Sequence, residues 1–190
     1  MHKKLIKYFN KKYKEKDLDN KSKFKLTFYG LFWEYVIAPL IIIILSFKLK
    51  NYFPSFDIPL QLRIIFSIFL FFPALYLTFL YIIHLNKMGK GTIIPAVRPP
   101  KKLVKDGVYK ICRNPMWLGY ILLFLGFGVL LSSFFILVIA IPIILFFIFL
   151  YVRLIEERVL EKQFGKDYAT YKKETPFLLP FKLKNFLKNK

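Results

Sequence analysis

Two adjacent carboxylates, Glu156 and Glu157, stand where a long apolar run ends and a charged helical pattern continues to Gly165. A carboxylate at such a boundary is partly desolvated unless it meets a cation or a donor. The pair is therefore a candidate site for a ligand carrying ammonium or hydroxyl groups; a solvated helix end is the alternative. Arg153 precedes Glu157 by four residues, the spacing of a helical ion pair. Upstream, Asn114-Pro115 reads as a helix start, because Asn favours the N-cap and Pro at the first helical position forfeits no hydrogen bond. The free amides and positive dipole end of that start suit an anionic or carbonyl oxygen, although plain capping explains the same residues. Glu34 is a third acid, set inside an apolar stretch, where an ionisable group usually faces a cavity or a partner. Cys112 is the only cysteine, and His2 and His84 lack ligand spacing, so neither an internal disulfide nor a metal centre is expected. No catalytic base is named.

The elements that must position these groups are membrane spans. Of 190 residues 56% are hydrophobic and 19% aromatic, too apolar for an ordinary soluble domain, and the mean hydropathy is +0.45. A net charge of +20 combined with that apolar content excludes a disordered chain and requires basic and apolar residues to be segregated. Spans need about 20 apolar residues. Four are expected, over 28–47, 60–85, 115–132 and 134–155, the last two forming a helical hairpin across 116–152 that folds at Ser132-Ser133. Residues 1–27, with Leu5, Phe9 and Tyr13 at helical spacing, read as a basic amphipathic segment on the inner leaflet. Residues 28–190 read as one all-α membrane domain with a tail over 156–190. Of 31 Lys and Arg, 28 lie in 1–27, 86–115 and 153–190, which places all three segments, and both termini, on the cytoplasmic side. That topological explanation makes the membrane the partner of the charge rather than nucleic acid.

Smaller signals refine this layout. Pro39, Pro73 and Pro142 are expected to kink their spans, and Gly89 and Gly91 would let a ligand approach the backbone or simply loosen the exit of the second span. Gly119 and Gly126, seven apart, give the third span a thin face for a neighbouring helix or a ligand. Gly165 is a helix cap; Tyr168 and Tyr171 follow on a short helix, and Pro176 and Pro180 mark a tail folded back on the other polar segments.

Taken together, GVYKICRNPMWLG at 107–119 and, two spans later, EERVLEKQFGKDYATYKKETPFLLP at 156–180 resemble the isoprenylcysteine carboxyl methyltransferase family. That family lies within a wider group that includes the phospholipid methyltransferases. The resemblance covers about residues 86–181 and rests on the combination of elements. It implies S-adenosylmethionine as methyl donor, bound at the cytoplasmic ends of the last two spans. The implied cofactor contacts fall on Lys101, Lys102, Leu103, Val104 and Tyr109, on Asn114, Pro115, Met116 and Trp117, and on Glu156 and Glu157. Arg153 is the implied contact for a substrate carboxylate. Asn114 and Trp117 stand where the family often has His and Tyr, and Arg153 is slightly out of register, so neither a general base nor a prenylcysteine acceptor is secured. The implied acceptor is lipid-like, reaching the site sideways from the membrane with its tail beside Gly119 and Gly126. Two other readings compete: an NADPH-dependent membrane reductase of the sterol reductase type, and a non-enzymatic membrane adaptor. The Glu-Glu pair and Phe164-Gly165 favour the methyl donor.

Overall fold

A computed structural model describes residue 25 and residues 28–54, 56–84 and 101–179. The expected amphipathic segment at 1–27, apart from Lys25, lies outside the described residues, as do Gly89, Gly91 and Pro180. Every regular element described is helical. Helix α1 spans Phe28–Lys48, α2 Leu60–His84, α3 Pro115–Leu130, α4 Phe135–Phe164 and α5 Lys166–Glu174. Three of them, α1, α2 and α4, are long and apolar enough to cross a membrane. Their outward faces carry Phe69 and Phe72, each about three-quarters exposed, which lipid can cover and water cannot cheaply.

Helix α3 is shorter than the span expected over 115–132. Its 16 residues rise about 24 Å, less than the roughly 30 Å hydrocarbon thickness. The chain turns where the serines predict: Ser132 adopts φ 50°, the Ser133 amide donates to the Gly128 carbonyl, and Ser133 Oγ accepts from the Ile136 amide to start α4. Helix α4 then runs without a break past residue 155 to Phe164. Gly165, at φ 52°, ends it as a cap and lets α5 set off in a new direction.

Small residues bring α2 and α3 together antiparallel. A Cβ on Gly119 would stand 2.7 Å from the Ala74 carbonyl oxygen and 3.0 Å from Thr78 Oγ1, so only glycine permits this approach. Further along, Ser67 Oγ donates to the Gly126 carbonyl at 3.0 Å. Arg63 closes the far end by donating to the Leu130 carbonyl and to Ser132 Oγ, a cation at a helix C-terminus. The glycine face of α3 is thus filled by α2, which corrects the expectation that a lipid tail lies beside Gly119 and Gly126. Helix α1 joins through Tyr35 to Thr78 at one end and Ser46 to Ser133 at the other, each pair 2.6 Å apart.

The prolines act through wide turns. Pro39 and Pro142 each follow a π-helical segment, Trp33–Ile37 and Phe135–Ala140, which gives room for a ring that would otherwise strike the carbonyl four residues back. Pro73 sits inside α2 with no such turn. A third π segment, Val152–Glu156, contains no proline.

Candidate active site

The antiparallel packing gathers the N-terminus of α3, the C-terminal third of α4, the end of α2 and helix α5 at one end of the bundle. The polypeptide before α3 is fastened there by a glycine: Gly107, at φ 62°, lies so close to the His84 ring that any side chain on it would overlap the imidazole. Val108 and Tyr109, on the 3₁₀ turn Gly107–Lys110, then become core residues packed with Tyr81, Met116, Tyr168 and Tyr171.

Between these pieces lies a cleft that is partly open to its surroundings. Leu103, Val104, Tyr109, Asn114, Met116, Trp117 and Glu156 line it, seven residues that the sequence marks as candidate contacts. The remaining candidates are elsewhere. Lys101 and Lys102 are exposed, and Pro115 is buried in the first turn of α3 without lining the cleft. Arg153 is also off the cleft, half-exposed over the Phe149 ring at 5.6 Å.

The adjacent carboxylates part company. Glu157, 2% exposed, is held by Arg113 at 2.5 Å, Lys172 at 2.5 Å and Arg153 at 3.3 Å. The Arg153 pairing is the one its spacing predicts. With three cations on it, Glu157 does not line the cleft. Glu156 faces the cleft instead, 7% exposed, with the Tyr151 hydroxyl and the Trp117 indole near it as donors. A carboxylate accepts about four hydrogen bonds, so two such donors leave it able to take more.

Asn114 occupies the N-cap position but does not cap; its amide donates instead to the Phe177 carbonyl at 2.8 Å. The first amides of α3, Met116 and Trp117, therefore stay available beside the cleft, as first-turn amides have no partner within a helix. The tail is strapped across by Arg113, whose backbone amide donates to the Pro176 carbonyl, Nε to the Thr175 carbonyl and guanidinium to Glu157. Tyr171 adds a hydroxyl donated to the Tyr109 carbonyl at 2.8 Å. This strap seats Tyr168 and Tyr171 in the cleft wall with Arg113 and Tyr81. Burial pushes the Tyr168 phenol up to about 12, so it is a neutral donor in ordinary buffers. Burial likewise raises the Cys112 thiol to about 11, with its side chain wholly enclosed.

Tyr81, Arg113, Tyr168 and Tyr171 are lining residues that the sequence did not mark as contacts. Tyr168 and Tyr171 carried a signal, their i, i+3 spacing before Pro176. Tyr81 carried none, since an aromatic residue in a span reads as lipid-facing. Among the described residues no group of three His, Cys, Asp or Glu could hold a metal ion.

A sequence profile described as Phospholipid methyltransferase matches residues 62–167, over half of the chain, from the first turn of α2 into α5. The chain belongs to the phospholipid methyltransferase family. The matched region holds most of the cleft lining, from Tyr81 to Leu160, and the Glu156-Glu157 pair. A search of curated protein sequences finds no match. As a member of a membrane methyltransferase family with three membrane-length helices, the protein is read as a membrane enzyme of that class.

Proposed function

We propose that the protein is an S-adenosylmethionine-dependent methyltransferase that modifies a lipophilic acceptor, with the cofactor held in the cleft between α3, α4 and α5. The observation that carries this reading is the meeting of Glu156 with the open first turn of α3. One is an acceptor with spare capacity and the other offers two amide donors, which is what the ammonium and carboxylate of a methionyl group require. The residues present fit the rest of such a ligand. Tyr81, Tyr109, Trp117, Tyr168 and Tyr171 supply flat faces for a purine and for a sulfonium cation.

When bound, S-adenosylmethionine supplies a methyl group on a positively charged sulfur. The chain's own contribution is positional. Asn114 and Arg113 hold the tail strap over the cleft, Tyr168 and Tyr171 close the wall against water, and Glu156 orients the ligand through Tyr151 and Trp117. Fixing two reactants in line can account for several kcal/mol of barrier lowering without a covalent intermediate. Arg153 is spent on Glu157 and Phe149, so the acceptor contact suggested for it finds no support. A lipid amine suits the cleft better than a prenylcysteine carboxylate, because its lining carboxylate, Glu156, would repel an anion and its lining cation, Arg113, is already paired with Glu157.

Calorimetry on purified protein in nanodiscs tests the cofactor. S-adenosylmethionine should bind and NADPH should not; NADPH binding alone would install the reductase reading, and binding of neither the adaptor reading.

A further inference from the structure

The end of the bundle away from the cleft has a hollow of its own. It lies where α1 ends and α3 turns into α4, beside the 3₁₀ turn Lys50–Tyr52, and its wall includes Ser46, Lys50, Phe53, Ser132 and Ser133. The Phe53 ring is braced against Phe135, with centroids 5.5 Å apart.

The hydroxyls of this wall have protons to spare. Ser46 and Ser133, 6% and 9% exposed, share one hydrogen bond at 2.6 Å. Two hydroxyls bring two protons and that contact uses one. The Ile136 amide donates to Ser133 Oγ, which occupies a lone pair and no proton. Whichever serine donates, one buried hydroxyl proton has no acceptor among the described residues. Ser132 adds a second, because its Oγ accepts from Arg63 at 3.1 Å and its own proton stays unspent.

The cations are also uncompensated. Among the described residues neither Lys50 nor Arg63 has a carboxylate within ion-pair distance. Arg63 gives its hydrogen bonds to neutral acceptors, the Leu130 carbonyl and Ser132, and its Nε is enclosed without an acceptor. A hydroxyl that accepts from a guanidinium is polarised into a stronger donor, so Ser132 carries part of the Arg63 field into the hollow. No carboxylate lines the hollow among the described residues.

Spare donors and positive charge without an acid are the inverse of the cleft, where Glu156 stands. They fit an anion whose oxygens accept several hydrogen bonds at once, a phosphate ester, and supply no carboxylate for the ammonium of a zwitterionic headgroup. Depth and rim point to a lipid. The membrane-length helices α1 and α2 end and begin beside the hollow, at the level of headgroups, and its lining residue Phe47 is 62% exposed, an apolar surface that the glycerol and upper chains of a lipid can cover. We propose that the hollow binds the phosphate of an anionic phospholipid through Lys50, Ser132 and the Ser46–Ser133 pair. Held at the opposite end of the bundle from the cleft, this lipid is a resident ligand and not a methyl acceptor, and the assignment stands apart from the methyltransferase reading.

The test uses full-length protein in phosphatidylcholine nanodiscs doped with a phosphatidylglycerol that carries a photoreactive group beside its headgroup. Crosslinked peptides, mapped by mass spectrometry, should fall in 46–54 and 131–135. Unlabelled phosphatidylglycerol should displace the probe, and added phosphatidylcholine or millimolar inorganic phosphate should not. Lys50→Gln should cut crosslinking there about tenfold, the worth of one charge-assisted contact, and Lys50→Arg should keep it. Lys48→Gln, which removes a neighbouring exposed lysine outside the wall, should leave it unchanged. Lys50 is itself exposed, so all four proteins should share one thermal midpoint in phosphatidylcholine alone. Crosslinking that survives Lys50→Gln, or that falls equally in Lys48→Gln, overturns the site in favour of general surface charge. Displacement by inorganic phosphate overturns the lipid as its occupant.

Discussion

Neighbouring acids one helical position apart have different surroundings, and this is where residue-level prediction is sharpest. Glu157 neutralises Arg113, whose side chain is only 8% exposed, while Arg153 is far more solvated and gains little from the pairing. Glu157→Gln would leave a buried guanidinium without its counter-charge, a change that typically costs about 3–5 kcal/mol. A marked fall in the thermal midpoint of the detergent-solubilised protein is the expected result, together with loosening of the tail. Glu156→Gln should leave that midpoint close to the wild-type value and weaken S-adenosylmethionine binding about tenfold or more. The reverse pattern would exchange the two roles. From sequence the pair is legible as a site but not as two functions, because a helix turns about 100° per residue and the wide turn at Val152–Glu156 shifts that phase. Asn114 shows the same limit. Asn-Pro marks the helix start correctly, yet the amide points to Phe177, 63 positions away, a contact no local pattern encodes.

At the level of elements, spans are the most readable part of the chain, since length and apolar run decide them. Helices α1 and α2 fall within a residue of the expected 28–47 and 60–85, and the hairpin turns at its serines. What the pattern could not settle is which surface each helix spends on which neighbour. Gly119 and Gly126 advertised a close approach, and only the partner residues Ala74, Thr78 and Ser67 show it to be α2. Helix α5 is the element whose hold on the rest can be tested by pH. Lys172 meets Glu157 at 2.5 Å and Glu161 at 2.8 Å; partial burial opposes its charge, but the two carboxylates outweigh this and hold its amine above the ordinary 10.5. With the folded value raised, the stabilisation is complete below about 10.5 and disappears as pH climbs through the folded value. Tyr168 and Cys112, also shifted upward, work in the same direction. Limited proteolysis should accordingly find the tail protected from neutral pH to about 10 and cut above it, whereas Lys172→Met should be cut at neutral pH as well. A tail equally resistant in both proteins would show that Arg113 and Tyr171 hold the strap unaided.

For the whole molecule, the two ends of the bundle are chemically different, and the difference predicts an orientation. One end holds the cleft, the segment leading into α3 and the strap; the other holds the Ser46–Ser133 contact, the turn after α1 and the Arg63 cap. By sequence, 18 of the 31 basic residues lie in 86–115 and 153–190, which contain the cleft-end residues 101–114 and 156–179, while among the described residues the far end has Lys48, Lys50 and Arg63. Lys and Arg flanking spans are retained on the cytoplasmic side, so the cleft end should face the cytoplasm, where S-adenosylmethionine is available. Single cysteines can read this out with little background. Cys112 is wholly enclosed and its thiol is raised to about 11, so it should resist maleimide even before it is replaced by serine. Cysteines introduced at Lys101 and Lys172 should then be protected from an impermeant maleimide applied outside intact cells and react after permeabilisation. One at Tyr52, 80% exposed in the turn after α1, should react without permeabilisation. External labelling at both Lys101 and Lys172 would place the cleft on the outer face, whereas labelling at only one of them would mean that the short α3 fails to carry the chain across.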